Sequence, residues 1–177
     1  MTAALTMLRQ GIEKGPGSHQ EAARQLNITP SMLSKILAGE RNMAADLKPK
    51  ASKMHLLAGL AMALEATGYK RIFEYIRGDR HPQTMLRRVE KEDAEADAAL
   101  KPIGWRIIDK ECPEDLTEDD KFALLTAAKE IADRVKAEIN LLIEWEDRYR
   151  LGLLEHLTGE KKKGLVAETR ATYQNSK

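Results

Sequence analysis

The chain has 177 residues, of which 42% are apolar and 32% charged, with 29 Lys and Arg against 28 Asp and Glu. This balance excludes wholesale disorder, and the length holds one or two domains with a real core. No apolar run approaches the length of a membrane span and the first residues lack a signal-peptide core, so a cytoplasmic protein without a membrane partner is expected. Ala, Leu, Glu, Lys and Arg dominate, aromatics are 5%, and Val and Ile never fall in alternating runs, so the expected fold class is all-α. The first helix is predicted over Ala3 to Lys14, ended by Gly15, Pro16 and Gly17.

From Gln20 to Arg41 the chain reads QEAARQLNITPSMLSKILAGER. Ala22, Ala23 and Leu26 share one face of a short helix, Asn27 offers a left-handed turn residue, and Ile28 fills the corner. Thr29 then caps a second helix with Pro30 in its first position, where a missing N–H loses no hydrogen bond. That helix buries Leu33, Ile36 and Leu37 and stops at Gly39, leaving Ser31, Met32, Ser34 and Lys35 outward. A short polar face with one cation and no carboxylate can enter a major groove, where hydroxyls and an ammonium read base edges. The small Ala23 allows a close helix crossing, as a DNA-docking helix-turn-helix requires.

Met43 to Lys50 is a connector framed by Asn42 and Pro49. Ala51 to Thr67 follows as a helix with Met54, Leu57, Ala58, Ala61 and Leu64 at helical spacing, closed by Gly68. Tyr69 to Arg77 reads as a fifth helix with Ile72, Phe73 and Ile76 inward, ended by Gly78. His81 and Pro82 mark the edge of an N-terminal domain, residues 1–80. A helical linker, 81–116, contains a charged helix from Gln83 to Leu100 and an apolar clip of Trp105, Ile107 and Ile108 against a neighbouring helix.

Thr117 with Asp120 resembles a capping box, and the acidic residues around it suit the positive end of a helix dipole. The helix they open is expected to run to about Leu157, closed by Gly159, within a region spanning 117–159. At about 60 Å it is too long for one small domain to cover. Leu125, Ala128, Ile131, Val135, Ile139, Leu142 and Trp145 give it an apolar stripe for oligomerisation. The spacing lacks a strict seven-residue repeat, which favours a bundle or antiparallel dimer, with packing against residues 83–111 as the competing arrangement. Residues 160–177 form a polar tail in which Lys161, Lys162 and Lys163 are candidate DNA contacts.

On these residues the chain resembles the lambda-repressor-like, Cro and C1 type family of helix-turn-helix domains over roughly residues 1–78. The family's small residue corresponds to Ala23, its turn residue to Asn27, its turn hydrophobe to Ile28 and its closing glycine to Gly39. The resemblance implies a bundle of about five helices in which Pro30, Ser31, Met32, Ser34 and Lys35 face bases, Met32 against a thymine methyl. It places Ser18, His19, Gln20, Arg41 and Asn42 at phosphates, with His19 where family members commonly carry Gln. A weaker resemblance extends to small regulators of temperate phages and prophages. No Ser and Lys pair in a β-rich C-terminal domain is visible, which speaks against the self-cleaving branch.

Charge is uneven: residues 1–91 carry 15 Lys and Arg against 8 Asp and Glu, and the remainder 14 against 20. Lys48, Lys50, Lys53, Lys70, Arg71, Arg77, Arg80, Arg87 and Arg88 extend the positive potential expected to attract a polyanion. The expected function is a sequence-specific double-stranded DNA-binding transcriptional regulator of phage or prophage type, reading repeated half-sites as a homodimer or homotetramer. The alternatives are a phage DNA-packaging or replication subunit with a helix-turn-helix, and an antitoxin that binds a partner protein through its C-terminal region. Four histidines without ligand spacing, the lone Cys112 and the lack of a phosphate-cradling loop give no expectation of catalytic residues, cofactor or metal. The front domain is expected to fold without residues 117–177.

Overall fold

Thr2 opens the first helix, α1 (Ala3–Lys14), its hydroxyl accepting the Leu5 N–H at 3.3 Å. The computed structural model describes residues 2–159. After α1 come α2 (His19–Leu26), α3 (Pro30–Ala38), α4 (Lys48–Ser52), α5 (Leu56–Thr67), α6 (Lys70–Phe73), α7 (Pro82–Leu100), α8 (Ile103–Arg106), α9 (Glu118–Tyr149) and α10 (Leu153–Thr158). There is no strand among the described residues, so the fold is all-α. No helix among them is long and apolar enough to cross a membrane.

The first core gathers Leu8 and Ile12 of α1, Leu26 of α2, Leu33 and Leu37 of α3, and Leu57 and Ala61 of α5. α1 and α5 meet so closely that a Cβ at Gly11 would stand 2.6 Å from the Ala58 backbone nitrogen, which only glycine permits. α7 and α9 then form an antiparallel hairpin. Arg80 pairs with Glu144 near one end, Arg134 with Asp93 along the middle, and Arg106 with Asp120 at the other.

Several predicted elements differ from those observed. The helix expected over Ala51 to Thr67 is split, because His55 adopts an extended conformation and its Nδ1 accepts the Leu57 N–H, starting α5 afresh. The fifth helix stops at Phe73, and the following strap is extended from Glu74. α9 ends at Tyr149 rather than near Leu157, since Arg150 and Gly152 both take left-handed conformations before α10. The apolar clip does not form: Trp105 and Ile108 point to solvent, and Ile103 is the residue that anchors α8. The tail at 160–177, including Lys161, Lys162 and Lys163, lies outside the described residues.

The C-terminal half of α9 turns back onto the first bundle, where Ile143 enters the core and Ile139 packs against it. Asn140, fully buried, accepts the Ile76 N–H at 2.9 Å and an Arg80 N–H at 3.2 Å. Its amide nitrogen donates to the carbonyls of Glu74 at 3.0 Å and Lys136 at 2.9 Å. Beyond it, the Asp147 carboxylate accepts from Lys14 and faces His55 Nε2 at 2.8 Å. The end of α9 is thus packed on the front domain that was expected to fold without residues 117–177. Removing α9 would uncover the surface around Ile143 and leave the strap's Ile76 N–H and the buried His55 without their partners.

Two outcomes are expected. Asn140→Leu removes partners from buried backbone groups and should lower unfolding free energy by about 2–3 kcal/mol, read by urea denaturation. For Asp147, burial raises the carboxyl pKa, but hydrogen bonds from His55 and Lys14 outweigh it and hold the value below the ordinary 3.8. A carboxyl depressed in the folded state stabilises the fold above its unfolded pKa, and that contribution fades as pH falls through the folded value. Asp147→Asn should accordingly flatten the acid limb of the stability curve below about pH 4, measured by urea denaturation across pH.

Candidate nucleic-acid interface

α2 begins at Ser18, whose Oγ accepts the Glu21 N–H at 3.1 Å, and ends at Asn27, left-handed at φ 56°. The Asn27 N–H donates to the Arg24 carbonyl and the Ile28 N–H to that of Ala23, so the turn closes on its own backbone. Thr29 Oγ accepts the Met32 N–H at 3.2 Å, Pro30 occupies the first helical position, and Gly39 terminates α3 at φ 80°. Asn, Thr-Pro and Gly thus stand where each conformation favours them.

Leu33, Ile36 and Leu37 are buried on the inner face of α3, and the predicted base-facing residues Pro30, Ser31, Ser34 and Lys35 are exposed on the other. Met32, also in the predicted set, is half-buried and packs against the core. Ser18, Gln20, Arg41 and Asn42 are exposed and His19 is half-buried. The Arg41 N–H folds back onto the Lys35 carbonyl at 3.3 Å, bringing this cation's backbone beside the end of α3. On α2, Arg24 and Gln25 both donate to Glu21, and these bonds push its pKa down to about 2. That carboxylate is paired within its own helix.

The predicted positive field is thinner than the count of cations implies. Arg71 forks onto Asp133 at 3.0 Å, and Lys48 meets Glu65 at 3.0 Å. Arg80 is enclosed by Glu144, Asn140 and the Tyr75 ring, 3.9 Å from its guanidinium carbon, so it is a packing element of the strap. Lys50, Lys70, Arg77 and Arg87 remain exposed. Sequence reasoning missed Asn140, His55 and Asp147 as structural polar residues, because the contacts that tie them across the fold, Ile76 to Asn140 and His55 to Asp147, join residues more than sixty apart in the chain.

The stripe assigned to oligomerisation is divided in the same way. Leu125 and Ala128 are exposed, and Ile131, Val135, Leu142 and Trp145 are half-buried along the hairpin. Ile139 belongs to the packing against the first core, because the end of α9 docks there, and is corrected from the oligomerisation set.

Between α7 and α9 lies an open cavity of about 700 Å³ whose walls alternate in sign. Glu92, Glu130 and Asp133 there could reach one cation together. Each already has a basic neighbour, Lys91 at 3.3 Å, Lys129 at 2.9 Å and Arg71 at 3.0 Å, so their charge is compensated by the protein. Comparison with family models, curated proteins and solved structures finds no match to this chain.

The turn geometry sets a clear expectation. Asn27→Gly should leave stability within a few tenths of a kcal/mol, whereas Asn27→Val should cost about 1–2 kcal/mol, both read by thermal unfolding.

Proposed function

We propose that this chain is a sequence-specific double-stranded DNA-binding regulator of phage or prophage type, in which α3 enters the major groove. The observation that carries this reading is the outer face of α3, where Pro30, Ser31, Ser34 and Lys35 stand exposed beside a turn fixed at Asn27. Serine hydroxyls can donate to or accept from base edges, and the Lys35 ammonium can reach guanine O6 and N7. Ser18, His19, Gln20, Arg41 and Asn42 flank that face and serve phosphates, which position a reader without specifying sequence. The exposed cations Lys50 and Arg77 add long-range attraction.

One recognition helix discriminates by only about 1–3 kcal/mol per good base contact, so the regulator works as an oligomer on repeated half-sites. Two-fold related copies would read half-sites about one duplex turn apart, or a multiple of it.

Site selection from a random duplex library with purified protein tests the proposal, and recovery of no preferred sequence would remove it. With a site in hand, Lys35→Ala should reduce discrimination against its best competitor about tenfold. Arg41→Ala should weaken all sequences alike and flatten the log–log salt dependence by about one unit. An identical loss of specificity in both variants would contradict the division into base and phosphate contacts. Light scattering addresses the assembly: a ring of eight or more subunits would favour a packaging subunit.

A further inference from the structure

We infer that the cavity between α1, the extended strap after α6 and the two hairpin helices binds a small phosphate monoester. The inference goes beyond groove reading by α3 and needs no DNA, so the two fail separately.

α1 supplies one wall. Ala3, Thr6, Met7 and Gln10 recur at three and four residues, share a helix face and line a cavity of about 360 Å³. The strap adds Glu74, Tyr75, Ile76 and Arg77, α7 adds Arg88, and α9 adds Lys136. Asn140 fixes the strap at Ile76 and Glu74, so the wall it contributes is set by the docking of α9.

Three cations, Arg77, Arg88 and Lys136, border this cavity with one carboxylate, Glu74. Lys136 lies 3.3 Å from Asp133, but Arg71 forks onto the same carboxylate at 3.0 Å and neutralises it. Arg88 is half-buried, and its guanidinium forms no ion pair or hydrogen bond among the described residues. It also borders the cavity between α7 and α9, where Glu92 and Glu95 meet Lys91 and Glu130 meets Lys129. Of the other carboxylates near the strap, Asp79 accepts from the His81 N–H and the Thr84 hydroxyl, and Glu144 pairs with Arg80. Glu74 offsets one of the three cations, which leaves an excess of two positive charges at the cavity.

A half-buried guanidinium without a carboxylate loses hydration that no pair restores, and neighbours of like sign add repulsion. A bound anion removes both costs. A phosphate monoester carries about two negative charges at neutral pH and matches the excess, whereas a carboxylate or a single nucleic-acid phosphodiester carries one. Planar guanidinium groups present paired donors that suit its oxygens. The Gln10 side-chain amide and the Tyr75 and Arg77 backbone N–H groups add donors that have no acceptor among the described residues. The Thr6 hydroxyl, by contrast, already donates to the Thr2 carbonyl at 3.2 Å. Ala3, Met7 and Ile76 give apolar wall for the organic part of the ester. At about 360 Å³ the cavity lies low in the range of ligand pockets, roughly 300–1,000 Å³, which restricts the ester to a small one.

The test is titration of the full chain with glycerol phosphate at constant ionic strength, followed by amide-resolved NMR. Saturable shifts of the Tyr75 and Arg77 amides are expected. Arg88→Met keeps most of the side-chain stem and removes the charge, and should raise the dissociation constant at least about tenfold. Arg77→Met should act in the same direction. Neither guanidinium has a partner among the described residues, so circular dichroism and the melting temperature without the ester should stay close to those of the unsubstituted chain. Arg77 is exposed, so its variant keeps the test decisive if Arg88→Met does not fold. Shifts that never saturate, equal shifts with sodium acetate, or binding undiminished in the Arg77 and Arg88 variants would overturn the inference. So would a mixed-sequence DNA duplex that moves these amide signals where glycerol phosphate does not, because the cations would then serve a nucleic-acid backbone.

Discussion

The arrangement of the whole chain depends on one buried amide. Asn140 sits on α9 with its side chain wholly removed from water, and it closes on the strap that follows α6 through the Ile76 N–H and the Glu74 carbonyl. An extended segment has no internal partners for its backbone groups, and burying such groups unpaired costs more than the bond itself contributes. A side chain that offers an acceptor and a donor together suits that segment. Arg80 completes the arrangement by spanning Asn140, the Ile76 carbonyl, Glu144 and the Tyr75 ring. Because this network is satisfied only with α9 in place, the hairpin's direction is set relative to the first bundle.

That orientation divides the molecule's charges. Cations that look alike along the chain are separated by whether the returning helix offers a carboxylate. Arg71 and Arg80 meet Asp133 and Glu144, and Lys14 meets Asp147, while Lys35 and Arg41 are exposed. The excess of positive charge in residues 1–91 is partly an internal complement to the acidic second half rather than a field projected outward. Lys35 and Arg41 are among the cations that stay exposed, as are Lys50, Lys70, Arg77 and Arg87.

The apolar surface is divided by the same constraint. A helix of 32 residues extends about 48 Å, far more than the first bundle can cover, so docking at one end exposes the other. α7 shields the middle, and Phe122, Leu125 and Trp105 are left at the tip.

Local chemistry was legible in the sequence wherever a conformation is chosen by a residue and its near neighbours. The α2–α3 turn was readable because Asn27 tolerates φ above zero, Thr29 caps, Pro30 starts and Gly39 stops a helix; the Thr117 and Asp120 capping box was readable for the same reason. The same local logic failed at Ala51 to His55 and at Glu74 to Arg77. Helical periodicity there was overridden by an imidazole cap and by an asparagine more than sixty residues away. By itself, then, the sequence determined an all-helical chain, the positions of its sharpest turns and the inner and outer faces of α3. Only the tertiary structure decided which cations stay free, where α9 ends and which apolar residues face water, since each of those depends on burial and pairing between segments brought together by folding.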